Sequence, residues 1–267
     1  MKTRTILLTS LLATAIGAQA QVQINVDAAH PGIHVSPTLY GIFYEDINHA
    51  ADGGLYAELI RNRSFEDNDK KADNWTTIGN VTATLATKGL LNTAQQHALE
   101  LTFPGKSAKP AGISNEGFWG ISSVQGRTYR LSFWAKGKLN KPLTARLTDA
   151  SGKKIYAEAT IDGKLTGKWQ RYTATLTANA TDGNARLQLT TLGKGKMTLD
   201  VVSLMPPTFN NHANGLRPDL ASMLKDLHPK FLRFPGGCFV EGQESPDNAF
   251  RWERTIGPIE QRPGHKN

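Results

Sequence analysis

Residues 68–205 form a long stretch of short alternating segments, and no other feature of the 267-residue sequence constrains the fold as strongly. Turn-forming pairs such as Asp162-Gly163 and Asp182-Gly183 recur in it at close intervals. Apolar and polar residues alternate in five segments, which are Tyr129–Trp134, Leu143–Thr148, Lys154–Ile161, Trp169–Leu176 and Ala185–Thr190. A period of two is typical of strands with one buried face, so the stretch predicts an antiparallel β-sandwich.

The residues on either side have a pattern that is typical of β/α units. Leu39–Tyr44 and Phe231–Phe234 are nearly continuous apolar runs, which indicate strands buried on both faces, as in a parallel sheet. Leu55, Leu59 and Ile60 follow the first run at helical spacing and predict a short helix.

A second helix is predicted before the second apolar run. Pro218 suits a first helical turn, Pro229 is expected to end the helix, and apolar residues recur at i, i+3, i+4 and i+7, namely Leu220, Met223, Leu224 and Leu227. The sandwich is therefore predicted to be inserted into a β/α domain, between its first and second strands.

The N-terminal residues predict export followed by two short strands. Lys2 and Arg4 precede an apolar run at 6–18, too short to span a bilayer, and Ala18-Gln19-Ala20 offers a cleavage site after Ala20. A signal peptide is favoured over a buried N-terminal strand or helix, and the mature protein is expected to be periplasmic or extracellular, without a membrane span. Two alternating groups beyond it predict strands, and these are Val22, Ile24 and Val26, then Ile33 and Val35.

Charge and cysteine content exclude some classes of protein. The formal net charge is +8, but the excess lies in 68–205, where the local balance is +10 and basic residues are spread singly. This favours a solvated basic surface over a nucleic-acid interface. Cys238 is the single cysteine, so no internal disulfide and no cysteine-based zinc site is expected. We expect neither a metal nor a cofactor.

The β/α part is too short to close a barrel. An eight-stranded β/α barrel takes about 250 residues. Outside the sandwich and the signal peptide, this chain has only about 110 residues to form one. The chain is therefore expected to be a fragment, unless something else completes the domain.

Two blocks of sequence resemble the family-51 α-L-arabinofuranosidases. The first runs from Ser36 to His49 (SPTLYGIFYEDINH) and continues with GGLYAEL at 53–59 and NRSFE at 62–66. The second is FLRFPGGC at 231–238, followed by RWE at 251–253 and TIGP at 255–258. The resemblance covers about 36–66 and 206–264, and the part between looks like a carbohydrate-binding-module jelly roll.

The resemblance implies the start of a (β/α)8 TIM-type barrel, interrupted by the inserted antiparallel β-sandwich and incomplete in this chain. The domains would be a signal peptide at 1–20, a first β/α unit at 21–67, the sandwich at 68–205 and a truncated second β/α part at 206–267. The implied activity is retaining release of terminal α-L-arabinofuranosyl groups from hemicellulose or pectin side chains. Both catalytic glutamates would lie beyond residue 267, so no catalytic residue is assigned here and this chain is expected to be inactive alone.

Three residues match substrate-binding positions of the family. Glu45 would hydrogen-bond sugar hydroxyls, and Arg233 and Cys238 would line the same arabinose pocket. Alternatively, Glu45 caps a turn, Arg233 pairs with a carboxylate inside the barrel, and Cys238 is a small buried apolar residue. The sequence departs from some relatives at Ile42, where they have an aromatic residue, and from the family pattern at 265–267.

Four tryptophans of the sandwich could stack on sugar rings or belong to its core. Trp119 lies between Gly117-Phe118 and Gly120 and is the best candidate for sugar stacking, whereas Trp134 in an apolar strand is expected in the core. For Trp75 and Trp169, both sugar stacking and a place in the core remain possible predictions.

Two other classes of function compete with the glycosidase. One is a non-catalytic exported sugar-binding protein whose barrel segments are vestigial, and the other is a lectin-like or adhesive surface domain. The expected partner is an arabinose-containing glycan and no nucleic acid. The oligomeric state stays open, a homo-oligomer being one option for the full-length enzyme.

Overall fold

The structure is a computed structural model that describes residues 22–105, 108–242, 246 and 249–264, without the side chain of Phe239. The predicted signal peptide and the chain end at 265–267 lie outside the described residues. The chain divides into two compact units between Leu39 and Tyr40. Within the described ranges, none of the helices has the length and apolar character that crossing a membrane requires.

The first unit contains turns, and the two strands predicted for it are wrong. Val22, Ile24 and Val26 are 83, 81 and 84% exposed, and Ile33 and Val35 are exposed as well. An alternating segment becomes a strand only where a neighbour takes its backbone hydrogen bonds and a core takes its apolar face. Among the described residues, nothing pairs with 22–35 in this way.

The second unit consists mainly of strands. In the described part of the chain these are β1 (Ile42–Phe43), β2 (Trp75–Ile78), β3 (Thr82–Ala86), β4 (Ala98–Phe103), β5 (Ala111–Asn115), β6 (Ile121–Ser123), β7 (Thr128–Leu139), β8 (Leu143–Thr148), β9 (Ile155–Thr160), β10 (Gln170–Thr177), β11 (Asp182–Thr191), β12 (Gly195–Met205) and β13 (Leu232–Arg233).

Two antiparallel sheets form the predicted sandwich, which is therefore confirmed. One sheet has the order β10-β7-β12-β4-β3, and the other has the order β2-β5-β11-β8-β9 with β6 also paired to β11. The five predicted alternating segments correspond to β7 to β11. The ends agree to within one residue for β8, β9 and β10, whereas β7 continues five residues beyond the predicted end and β11 begins three residues before the predicted start.

Alternate residues of both sheets fill one shared core. Tyr129, Leu131 and Phe133 of β7 face Leu187 of β11 and its neighbours. Trp134 has the opposite parity in β7, so it points to the outer face of its sheet, where it is half-buried. The prediction that Trp134 is a core residue is therefore wrong, since the buried face of this strand belongs to the odd-numbered positions.

The helix predicted at Leu55, Leu59 and Ile60 is also wrong. The Glu58 carboxylate accepts hydrogen bonds from the N–H groups of Leu59, Ile60 and Leu204 at 3.0, 3.0 and 2.8 Å. Helical hydrogen bonding would need two of these same donors. The segment therefore runs along the sandwich as irregular chain.

Residues just before the first sandwich strand are packed into the sandwich itself. Ile60 and Phe65 are buried in its core, and the Phe65 ring lies 5.4 Å from that of Trp75. Trp75 is thus partly buried against the core.

The two apolar runs that flank the sandwich in the sequence pair as parallel strands. Ile42 is the partner of Leu232, and Phe43 is the partner of Arg233. Beyond the strands, the Asp46 N–H donates to the Pro235 carbonyl at 2.8 Å. Burial on both faces was predicted and is wrong for the described chain, since most of these apolar side chains are exposed. A two-stranded sheet gives them no covering layer.

The predicted second helix is confirmed as α1 (Pro218–Asp226), with Pro218 in its first turn. It ends three residues before Pro229 and buries Ala221. A short helix, α2 (Cys238–Glu241), follows β13. Further along, the Gln95 side-chain amide donates to the carbonyls of Glu260 and Arg262, which ties the last described segment to the sandwich.

Candidate functional site

Glu45 lies directly beyond the carboxyl end of β1 and is half-buried. Its side chain covers the backbone of Gly236, because a Cβ atom added to Gly236 would come within 2.5 Å of the Glu45 Cγ atom. Gly236 also has a φ of 119°, which L side chains rarely adopt. Glycine at position 236 therefore allows the Glu45 side chain to lie against the backbone that follows β13.

Arg233 lies on the same face of the parallel pair as Glu45. Phe43 is its cross-strand partner, and Glu45 follows Phe43 by two residues, so all three share one face. The Arg233 guanidinium lies 4.9 Å from the centre of the Phe43 ring. This cation–π contact orients an exposed arginine beside the strand ends.

Cys238 begins the short helix α2 and is exposed, so its alternative role as a buried apolar residue does not hold in the described chain. It follows Gly236-Gly237 at the carboxyl end of β13. The structure thus places Glu45, Arg233 and Cys238 at the carboxyl end of the two-stranded sheet.

The opposite face of the parallel pair borders a cavity of about 440 Å³. Phe234 stacks on Tyr44 at 5.6 Å on this face and contributes to the cavity wall. Arg63 lies across the cavity with its guanidinium 5.6 Å from the Tyr56 ring. Burial raises the pKa of Tyr56 to about 12, so its hydroxyl stays protonated. Strand alternation separates this cavity from Glu45.

The loop after Glu45 reaches the sandwich. The Asp46 carboxylate accepts a hydrogen bond from the Ala51 N–H at 3.1 Å, which closes the loop. The His49 ring in this loop lies 5.4 Å from the Phe118 ring and 5.6 Å from the Trp119 ring. His49 carried a signal in the sequence, because it ends the first matching string four residues after Glu45, but no role was predicted for it.

Trp119 is at the tip of the loop between β5 and β6 and is 72% exposed. This agrees with the expectation that it is the most exposed of the sandwich tryptophans considered for sugar stacking. Its φ of 57° is in the left-handed region, which bulky residues rarely occupy.

Two family profiles match the chain. Residues 223–267 match the α-L-arabinofuranosidase 1 domain, and residues 57–194, more than half of the chain, match the family described as carbohydrate binding domain. The chain belongs to the carbohydrate binding domain family.

Alignments with individual relatives cover most of the chain. It is 38% identical over 258 residues to α-L-arabinofuranosidase 1 of Arabidopsis thaliana, covering 91% of this chain and 38% of the relative. It is also 38% identical over 260 residues to the extracellular exo-α-L-arabinofuranosidase of Streptomyces chartreusis, covering 91% of this chain and 30% of the relative. The chain therefore spans well under half the length of these relatives.

A solved structure agrees with these matches. The arabinose-bound MgGH51 α-L-arabinofuranosidase superposes with a TM-score of 0.77 at 33% identity, covering 85% of this chain and 39% of that chain. The resemblance to family-51 α-L-arabinofuranosidases is thus confirmed.

The carbohydrate binding domain has a mixed polar and aromatic outer face on the sheet that contains β7 and β10. The Lys136 ammonium lies 5.0 Å from the centre of the Trp169 ring, and the Trp169 indole N–H donates to the carbonyls of Gly89 and Leu90 at 3.1 and 3.0 Å. Trp169 is therefore held by its own contacts at the sheet edge, and Trp134 lies on the same face.

Two buried carboxyl groups, Glu58 and Asp200, lie where β12 of the sandwich meets the segment at 55–66. Burial raises the pKa of Glu58, and burial raises the pKa of Asp200 to about 8. The Asp200 Oδ2 atom has no hydrogen-bond partner among the described residues. The protonated form of a carboxyl avoids the cost of an unpaired buried charge.

Proposed function

We propose that this chain is the N-terminal portion of a retaining α-L-arabinofuranosidase, which releases terminal α-L-arabinofuranosyl groups from arabinose-containing polysaccharides or oligosaccharides. The observation that carries the proposal is the parallel pairing of β1 with β13 across the inserted domain. This pairing brings together the two strings that resemble family 51. Active sites of β/α barrels are built at the carboxyl ends of their strands, which is where Glu45 lies.

The proposal includes the architecture of the longer protein. β1 and β13 would be the first two strands of a (β/α)8 barrel, and the sandwich at 68–205 would be a jelly roll inserted between them. The flanking parts at 21–67 and 206–267 would then belong to the barrel. We also propose a signal peptide at 1–20 and a periplasmic or extracellular location, which the extracellular relative in Streptomyces chartreusis supports.

In this proposal the residues of the chain bind and orient the sugar. Retention needs two carboxyl groups about 5 Å apart, one as acid/base and one as nucleophile, and we assign both to glutamates beyond residue 267. Glu45 accepts hydrogen bonds from arabinose hydroxyls, and its negative charge strengthens them. Arg233 donates to the same sugar from its position over Phe43, and Cys238 contributes part of the wall.

The inserted domain would hold the glycan while the barrel acts on it. Trp119 presents an open aromatic face, which suits stacking against a sugar ring. The family match at 57–194 supports a carbohydrate ligand.

The test compares a longer protein, produced with the coding sequence downstream of residue 267, with the chain alone. The longer protein should hydrolyse an aryl α-L-arabinofuranoside, with retained anomeric configuration in the first product detected by proton NMR. Residues 21–267 should give no turnover above a no-enzyme blank, since acid–base catalysis alone is worth ~10²–10⁴ in rate. Inversion, turnover by the chain alone or an inactive longer protein would contradict the proposal.

A second candidate is a non-catalytic carbohydrate-binding protein. The observation that favours it is that the family match at 57–194 covers the part with a complete hydrophobic core. It predicts glycan binding by a longer protein that has no hydrolytic activity.

A further inference from the structure

Trp119 has a conformation and an exposure that folding does not explain. Its side chain is 72% exposed although burial of a large aromatic side chain is favourable. Its backbone adopts the left-handed region, which costs free energy for a residue of this size. A smaller residue such as asparagine would meet the backbone requirement better, so the indole ring itself needs a reason.

The loop that carries Trp119 is held rigidly. The fully buried Asn115 side chain donates to the carbonyls of Arg61 and Asn74 at 2.9 and 3.1 Å and accepts from the Gly117 N–H at 2.9 Å. A Cβ atom on Gly120 would come within 2.7 Å of the Gly183 carbonyl oxygen. The indole is thus presented in one place, which lowers the entropy lost on ligand binding.

The ring beside Trp119 belongs to the loop that follows Glu45. The His49 and Trp119 rings meet edge to face, with their centres 5.6 Å apart and their planes at 77°. His49 is four positions after Glu45, so at about 3.8 Å per step along the chain their Cα atoms lie within about 15 Å of each other. Phe118 packs against Gly53 of the same loop, which fixes the two loops to each other.

We propose that His49 and Trp119 together form an aromatic platform on the rim of the Glu45 site, and that it binds the uncut main-chain sugars that carry the arabinose group. The inference rests on the proposed function, because the sugar held by Glu45 must be joined to the rest of a glycan that leaves the pocket. An exposed indole ring with a half-buried imidazole ring at its edge offers an aromatic surface that suits the apolar face of a sugar ring. The inserted domain then takes part in choosing the substrate of the barrel.

The binding test uses the full chain and two probes, an arabinosylated xylo-oligosaccharide and a branched arabino-oligosaccharide, titrated by calorimetry. Trp119→Asn keeps a residue that tolerates the left-handed conformation and should weaken binding of at least one probe about tenfold or more, in line with the loss of one stacked ring. Trp119→Phe keeps an aromatic face and should retain most of the affinity of the unsubstituted chain for that probe. The probe that is affected identifies the main chain recognised.

Coupling between the two rings distinguishes the platform from an isolated tryptophan. His49→Ala should weaken the same probe, and the double variant should lose less than the product of the two single losses, because contacting residues are not additive. Trp252→Asn is the matched control, since Trp252 is also largely exposed but belongs to the short helical turn Trp252–Thr255 and not to either of the two loops. Its affinity should equal that of the unsubstituted chain.

Three outcomes would overturn the proposal. These are no measurable binding of either probe by the unsubstituted chain, unchanged binding in Trp119→Asn, or a loss confined to Trp134→Ala on the outer sheet face. Failure of the proposed function shows separately, as absent arabinofuranoside hydrolysis by the longer protein. In an active longer protein, Trp119→Asn should raise KM for the branched oligosaccharide by a larger factor than it changes kcat.

Discussion

The sandwich and the parallel pair β1–β13 contrast in how far their apolar residues are buried. Leu131 in the sandwich is 1% exposed, whereas Leu232 in β13 is 58% exposed. The first lies between two sheets that share a core, and the second lies on a two-stranded sheet. The apolar burial that stabilises the described chain therefore lies in the sandwich, while the residues proposed to bind arabinose lie on the pair β1–β13, whose apolar side chains are mostly exposed.

In limited proteolysis, the sandwich should resist cleavage almost completely, whereas the residues that follow it should be cut quickly. We expect one resistant product that contains the sandwich and extends back to about residue 57, because Ile60 and Phe65 are buried in its core. Cleavage should be fast near Phe231 and Trp252, where side chains are exposed. Mass spectrometry of the products identifies the ends. A resistant product that continues past residue 256 would contradict the contrast.

The same substitution in the two regions should have very different effects on stability. Leu131→Ala removes a buried side chain from the core and should lower the free energy of unfolding by about 2–5 kcal/mol. Leu232→Ala should change it by less than about 0.5 kcal/mol, since its side chain is mostly exposed. Urea denaturation of both variants provides the comparison. Similar losses would mean that β13 is part of the cooperative core.

The buried carboxyl of Asp200 predicts a pH dependence of the sandwich. Its pKa is raised by burial to about 8, against an unfolded value near 3.9. The folded state therefore keeps a proton that the unfolded state releases, so this group's contribution to stability falls as the pH rises from about 4 to 8, by about 1.4 kcal/mol per pH unit at most.

Asp200→Asn should remove this contribution and stabilise the chain more at pH 8 than at pH 5. Asp162→Asn, at an exposed loop position, is the matched control and should follow the unsubstituted chain. The measurement is urea denaturation at several pH values. Parallel curves for Asp200→Asn and the unsubstituted chain would show that the carboxyl is ionised and solvated in the folded state.

The sequence pattern predicted the structure best in the sandwich, where a period of two matches strands with one buried face. The alternating segments at 129–190 became β7 to β11 because each has a polar face and a core to cover. The pattern at Val22–Val26 was just as regular and gave no strand, since alternation specifies a face but cannot supply a partner. Parity explains the error at Trp134, whose neighbours Phe133 and Ala135 took the core side.

Contacts between residues far apart in the chain could not be predicted from the sequence pattern. Glu58 prevents a helix at 55–60 by accepting the N–H of Leu204, which is 146 positions away in the chain. The contact of His49 with Trp119 also depends on how the sandwich packs against the loop after β1. By contrast, the pairing of β1 with β13 could be expected from the resemblance, which links the two blocks on either side of the insertion.

The most direct measurement is the effect of Glu45→Gln on hydrolysis of a small aryl α-L-arabinofuranoside by the longer protein. A charge-assisted hydrogen bond is worth about 1.5–3 kcal/mol, so kcat/KM should fall about 10- to 100-fold. Glu100→Gln is the control, since Glu100 pairs with Lys196 at 3.6 Å on the sandwich and should leave kcat/KM unchanged. Equal kcat/KM for the Glu45→Gln, Glu100→Gln and unsubstituted proteins would contradict the assignment of the β1–β13 edge as the arabinose site.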